Sequence, residues 1–149
     1  GVKSALELCK TSEAPFVQVV NAGLSFLDCS EKEISNNMER QVIIETVTLE
    51  RFTPVIGTIG SISVYIGLLG TILGILRAFH DVSVAGSGGL SVIIGGISEA
   101  LSTTAAGLCI AVPAIAAYNY FMKKIEDFIK DMELAASETM DLISAVKKR

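Results

Sequence analysis

A chain of 149 residues, 50% of them hydrophobic and only 19% charged, has a mean hydropathy of +0.55; it is too apolar for an ordinary soluble domain and reads as a membrane protein. The net charge of −4 comes from acidic flanks and leaves no basic patch, which argues against nucleic-acid binding. Cys9, Cys29 and Cys109 are odd in number and lack ligand spacing, so all three read as reduced or buried thiols rather than as a disulfide framework or a metal site.

Residues 1–50 read as a polar helical region on the cytoplasmic side. No leader segment is legible before Gly1, and a helix is already expected over Val2–Lys10, which suggests a trimmed chain. Pro15 suits a helical first turn, and Phe16, Val19, Val20, Leu24 and Leu27 then recur at helical spacing, as in an amphipathic helix. Asp28-Cys29-Ser30 interrupts it. Ser30 and Glu33 form a capping-box signature for the next helix, whose apolar face is Ile34, Met38, Val42 and Leu49. Nothing stops that helix before the apolar tract, so Pro54 predicts a kink near the membrane surface.

Phe52 to Leu76 and Ala100 to Met122 carry no charge, and a helix needs roughly 20 apolar residues to cross the hydrocarbon core. The expected layout is a transmembrane helix over 51–79, a short periplasmic loop over 80–90, a second transmembrane helix over 91–122 and a cytoplasmic C-terminal helix over 123–149. The loop holds Arg77, His80 and Asp81 at its edge and the run Gly86-Ser87-Gly88-Gly89, which marks a short connection. Lys123, Lys124, Lys147, Lys148 and Arg149 outweigh it in positive charge, placing both chain ends in the cytoplasm. Past the second span, Ile125, Phe128, Met132, Ala135, Thr139, Leu142 and Val146 predict a packing seam with alternating steps of three and four.

Small residues stripe both spans: Ser63, Gly67, Gly70 and Gly74 on the first, and Ala100, Thr104, Gly107, Ala111 and Ala114 on the second. In lipid such stripes let helix backbones approach closely, so they read as packing faces. Thr71 lies one turn after Gly67 and Thr103 one turn after Glu99; either threonine can bond to a carbonyl of its own helix. Ser98, Glu99, Ser102, Thr103 and Thr104 nevertheless form a polar girdle, part of which must face protein or water. An intramembrane carboxylate such as Glu99 costs about 2.5–3.5 kcal/mol and marks a functional candidate by default. If the span starts near Leu90, Glu99 lies roughly 13 Å deep; if it starts near Ile97, Glu99 is interfacial and can snorkel. No nucleophile–base pair and no phosphate loop is legible, so neither an enzyme nor a cofactor is expected.

"YIGLLGTILGILRAF" over 65–79, followed by "GGISEALSTTAAGLCIAVPAIAAYNYF" over 95–121, resembles the MotA/TolQ/ExbB proton channel family. The likeness is closest to its ExbB/TolQ branch, through Gly67-Leu68-Leu69-Gly70-Thr71, Glu99-Ala100-Leu101, Thr104 to Leu108, and Val112-Pro113-Ala114 leading to Tyr118-Asn119. The resemblance implies an all-α membrane protein of the bacterial inner membrane, built on a transmembrane hairpin with cytoplasmic extensions and lacking, in this chain, the family's first span. It further implies a homopentamer around the single-span helices of an ExbD/TolR-like dimer, whose aspartate takes and releases protons, with a TonB- or TolA-like protein as a further partner.

On the same resemblance Thr71 and Thr104 match pore-lining threonines and Glu99 the acid of the second motif; by helix geometry Glu99 is expected either to contact a neighbouring subunit or to sit at a pore rim with Thr103 beneath it on the proton pathway. Glu99 and Thr104 are five residues apart, about 140° around a helix, and cannot both point down one axis. The function implied is coupling of the proton motive force to a periplasmic or outer-membrane process. The alternatives are a non-conducting scaffold that holds the partner dimer, and a MotA-like motility stator.

Overall fold

The structure is a computed structural model that describes Glu7, Ser12 and residues 14–85 and 89–147. It contains four α-helices, α1 (Pro15–Leu24), α2 (Glu31–Glu50), α3 (Thr53–Ala85) and α4 (Gly89–Lys147), and no strand among the described residues. The helix expected over Val2–Lys10 lies outside those residues, Glu7 excepted. The chain divides into two compact units, one formed by residues up to Arg51 and from Phe121 onward, the other by Phe52–Tyr120.

In the first unit Pro15 occupies the opening turn of α1, where its missing N–H removes no helical bond. The turn after α1 is held by the Ser25 N–H on the Asn21 carbonyl at 2.9 Å and the Cys29 N–H on the Phe26 carbonyl at 2.9 Å. Helix α2 starts with the full capping box. The Glu33 N–H donates to Ser30 Oγ at 3.3 Å, and the Ser30 N–H and hydroxyl donate to Glu33 Oε2 at 2.9 and 2.8 Å. Two orphan donors of the helix start are thereby satisfied.

The apolar faces of α1 and α2 meet the 121–147 stretch of α4 in a core of Val19, Ile34, Met38, Met132 and Ile143. Truncating one of the larger of these to alanine costs about 2–5 kcal/mol. Gly23 belongs to the same contact, because a Cβ there would lie 2.6 Å from Met38 Sδ. The seam on α4 differs from expectation. Ile125, Met132 and Thr139 are buried as expected, but the intervening positions are Ile129, Ala136 and Ile143, whereas Phe128 is 44% and Leu142 and Val146 are each 69% exposed. Both registers are apolar in sequence, and the position of α2 selects the one that starts with a step of four.

At the expected kink before Pro54 the helix is interrupted by two turn residues. Helix α2 ends at Glu50, Arg51 and Phe52 form a turn, and α3 begins at Thr53, leaving Pro54 in a first turn that tolerates it. Helix α3 runs through Ala85 and α4 begins at Gly89. Nothing between Arg77 and Ala85 breaks a helix, and the Ser83 hydroxyl bonds to the His80 carbonyl at 2.7 Å.

Helices α3 and α4 contain 18-residue windows of mean hydropathy 2.0 and 1.8, long and apolar enough to cross a membrane. Together with the all-helical fold, this makes the chain an all-α membrane protein. Hydroxyls within the tracts bond to carbonyls one turn back: Thr58 to Pro54 at 2.8 Å, Ser61 to Gly57 at 2.9 Å and Ser63 to Ile59 at 2.7 Å. They are thus satisfied without water.

Candidate functional site

The hairpin of α3 and α4 closes on an antiparallel ladder of small residues. A Cβ on Gly107 would lie 2.7 Å from the Ser63 carbonyl and 2.9 Å from Gly67 Cα; one on Gly67 would lie 3.2 Å from Thr104 Cα. On Gly70 it would meet Thr103 Oγ1 at 2.5 Å, and on Gly74 the Ala100 Cβ at 2.6 Å. Ala100 and Ala111 are each 1% exposed. At these positions, read from sequence as packing faces, small residues let α3 and α4 approach closely. The ladder extends beyond the expected residues, to Gly96 against Ala78, Gly60 against Ile115 and Gly57 against the Tyr118 ring. Continuing the three- and four-residue steps outward from Ser63 and Gly74 would have reached Gly60 and Ala78.

That close approach brings Thr71 of α3 and Thr104 of α4 into direct hydroxyl contact. The Thr104 hydroxyl donates across the hairpin to the Gly67 carbonyl at 3.0 Å, the same oxygen that Thr71 Oγ1 reaches within its own helix at 3.1 Å. Thr71 Oγ1 also lies 3.5 Å from the Ala100 carbonyl, which accepts from Thr103 Oγ1 at 2.7 Å. Two hydroxyl protons therefore have acceptors inside the pair, and the hydroxyl oxygens keep lone-pair capacity. Both threonines are half-buried.

Glu99 is not part of this pair. It is exposed and lines a separate groove of about 350 Å³ with Arg77, Asp81, Gly70, Gly74 and Thr103. Arg77 Nε lies 4.0 Å from Asp81 Oδ2, with both side chains largely exposed. The four residues singled out for a proton pathway thus fall into two groups, Thr71 with Thr104 and Glu99 with Thr103, which approach each other at the Ala100 carbonyl. Arg77 and Asp81 were not read from sequence as neighbours of Glu99. Their i, i+4 spacing shows the pair, but only the pairing register of the two helices shows what stands opposite.

The sequence pattern of the MotA/TolQ/ExbB proton channel family matches residues 11–134, a stretch that contains the glycine ladder, the threonine pair and Glu99. The biopolymer transport protein ExbB of Pseudomonas putida is 32% identical over 114 residues, covering 76% of this chain and 35% of that protein. The Tol-Pal system protein TolQ of Pseudomonas aeruginosa is 36% identical over 102 residues, covering 68% of this chain and 44% of that protein. The chain thus spans less than half the length of these two relatives. It belongs to the MotA/TolQ/ExbB proton channel family, in the branch of ExbB and TolQ.

Proposed function

We infer that this chain is an inner-membrane proton-channel subunit of an ExbB/TolQ-like energy-transducing complex. The observation that carries the reading is the Thr71–Thr104 pair on the Gly67 carbonyl. It is a polar point on a hairpin whose other hydroxyls mostly bond back to their own helix, and it stands at the two motifs that carry the family likeness. On this reading, α3 and the first part of α4 span the membrane with both chain ends in the cytoplasm. Several copies, a pentamer by analogy, surround the single-span helices of an ExbD/TolR-like dimer.

The threonine oxygens then face the partner's carboxyl group and the water around it. Lone pairs on the pair accept from a protonated carboxyl, and rotation of one hydroxyl away from Gly67 or Ala100 supplies a donor to the ionised form. Glu99, with Thr103, Arg77 and Asp81, would form a separate polar groove on the proton route. Work derived from proton entry would pass through the partner to a periplasmic or outer-membrane machine, with a TonB- or TolA-like protein as the next element.

The second reading, a scaffold that does not conduct, draws on the same hydrogen bonds, since both threonine protons are already satisfied within the hairpin. Vesicles carrying the chain with its single-span partner separate the two. Proton entry under an imposed gradient, lost when the partner's membrane aspartate is changed to asparagine, supports transduction. Assembled complexes that admit no protons support the scaffold.

A further inference from the structure

The hydroxyls of Thr71, Thr103 and Thr104 converge on two carbonyl oxygens, those of Gly67 and Ala100. Within α3 the Thr71 N–H is the helical donor to Gly67, and within α4 the Thr104 N–H is the helical donor to Ala100. Each oxygen thereby keeps one lone pair. The Thr104 hydroxyl takes the one on Gly67 at 3.0 Å, and the Thr103 hydroxyl takes the one on Ala100 at 2.7 Å.

The Thr71 hydroxyl is then the surplus donor. It lies 3.1 Å from the Gly67 oxygen and 3.5 Å from the Ala100 oxygen, but each of these already serves a helical N–H and a closer hydroxyl. The acceptor left to it is Thr104 Oγ1, with which it is in contact. The protons of the pair therefore run in one direction, from Thr71 to Thr104 and from Thr104 to Gly67, and the open lone pairs lie on Thr71.

That direction depends on Thr103. The hydroxyls of Thr58, Ser61 and Ser63 also bond back to carbonyls of their own helix, which satisfies a hydroxyl in an apolar tract. Ala100 differs, because its oxygen is also within reach of a hydroxyl from the opposing helix. Without the Thr103 donor, Thr71 can turn to Ala100 and break its link to Thr104. Gly70 makes room for this arrangement: a Cβ there would lie 2.5 Å from Thr103 Oγ1 and 2.9 Å from Thr103 Cβ, so the Thr103 hydroxyl occupies space that the glycine leaves empty.

We propose that Thr103 is a positioning residue, whose hydroxyl occupies the Ala100 carbonyl and so holds the Thr71 proton on Thr104, leaving the Thr71 oxygen as the acceptor of the pair. Its consequence for proton movement rests on the function proposed above; the order of the hydrogen bonds does not.

The order is tested on the full chain in mixed micelles, unfolded by heat and followed by circular dichroism, as parent, Thr103→Val, Thr71→Val and the double variant. Valine keeps the shape of threonine without its hydroxyl. In the parent, Thr71 takes over the vacated lone pair, so Thr103→Val should shift the melting temperature little. In the Thr71→Val background neither hydroxyl is left for Ala100, and the same change should give a distinctly larger drop. Equal shifts in the two backgrounds would overturn the proposal. In vesicles holding the chain with its single-span partner, Thr103→Val should cut proton uptake about fivefold, the worth of one neutral hydrogen bond, and Thr103→Ser should retain it. Parent-level uptake by Thr103→Val beside a loss in Thr71→Val, or equal losses in the valine and serine variants of Thr103, would also overturn it. Unequal melting shifts with parent-level uptake in both Thr103→Val and Thr71→Val would support the hydrogen-bond order and contradict the proton reading instead.

Discussion

The hydroxyl of Thr104 donates to the carbonyl of Gly67 on the opposing helix at 3.0 Å, so a residue of the close-packed ladder also receives a hydrogen bond across it. The lack of a side chain at Gly67 and the hydroxyl opposite it act together in this contact. Thr104→Val keeps shape but deletes the donor, and is expected to destabilise the hairpin by about 0.6–2 kcal/mol. Thr104→Ser should lose less. Unfolding in mixed micelles, followed by circular dichroism, measures the difference.

The ladder itself makes a sharper contrast. Gly107→Val would drive a Cβ to 2.7 Å from the Ser63 carbonyl and 2.9 Å from Gly67 Cα; both are backbone atoms that cannot step aside. The helices must separate, and loss of the compact hairpin on denaturing gels is expected. At Gly95 nothing lies within 4 Å of the added Cβ. Gly95→Ala should leave the packing unchanged and favour the helix by up to about 1 kcal/mol.

At the start of α2, the Glu33 carboxyl is held below its ordinary value, first by the Ser30 hydroxyl and then by the Ser30 backbone N–H. A carboxyl whose value is lowered by folding adds stability above its unfolded value, and that contribution is lost as pH falls through the folded one. Ser30→Ala should therefore raise the Glu33 midpoint toward the ordinary carboxylate range and flatten this part of the acid-side loss. Carboxyl-carbon NMR across an acid titration reads both effects.

The register of the α4 seam can be tested by two neighbouring residues. Ile143 is 4% exposed and Leu142 is 69% exposed, so in the dispersed single chain Ile143→Ala should cost about 2–5 kcal/mol and Leu142→Ala no more than about 0.5 kcal/mol. The reverse order would restore the register expected from sequence. Thermal denaturation of the two variants decides it.

That pair also shows where sequence reasoning reached its limit. The capping box, the opening proline of α1, the Ile34 and Met38 face and the stripes of small residues depend on neighbours within one or two turns, and local spacing exposes them. The choice between Ile129, Ala136 and Ile143 and their neighbours Phe128, Ala135 and Leu142 depends on where another helix lies, and both sets are apolar. Likewise Thr71 and Thr104 stood out through their motifs, but their shared use of Gly67 needed the register between helices. Glu99 stood out because a carboxylate in an apolar tract is costly; its separation from the threonine pair and its groove with Arg77 and Asp81 came only from three-dimensional pairing.

Proton entry through the assembled complex tests the central claim most directly. The measurement is pH-indicator uptake in vesicles holding this chain and its single-span partner, comparing the parent with Thr71→Val, Thr104→Val and Thr104→Ser, each shown to be assembled. If the Thr71–Thr104 pair serves the proton route, both valine variants lose most of the uptake and the serine variant keeps much of it. Parent-level uptake by both valine variants would contradict the assignment and leave the two threonines as packing residues bonded to Gly67.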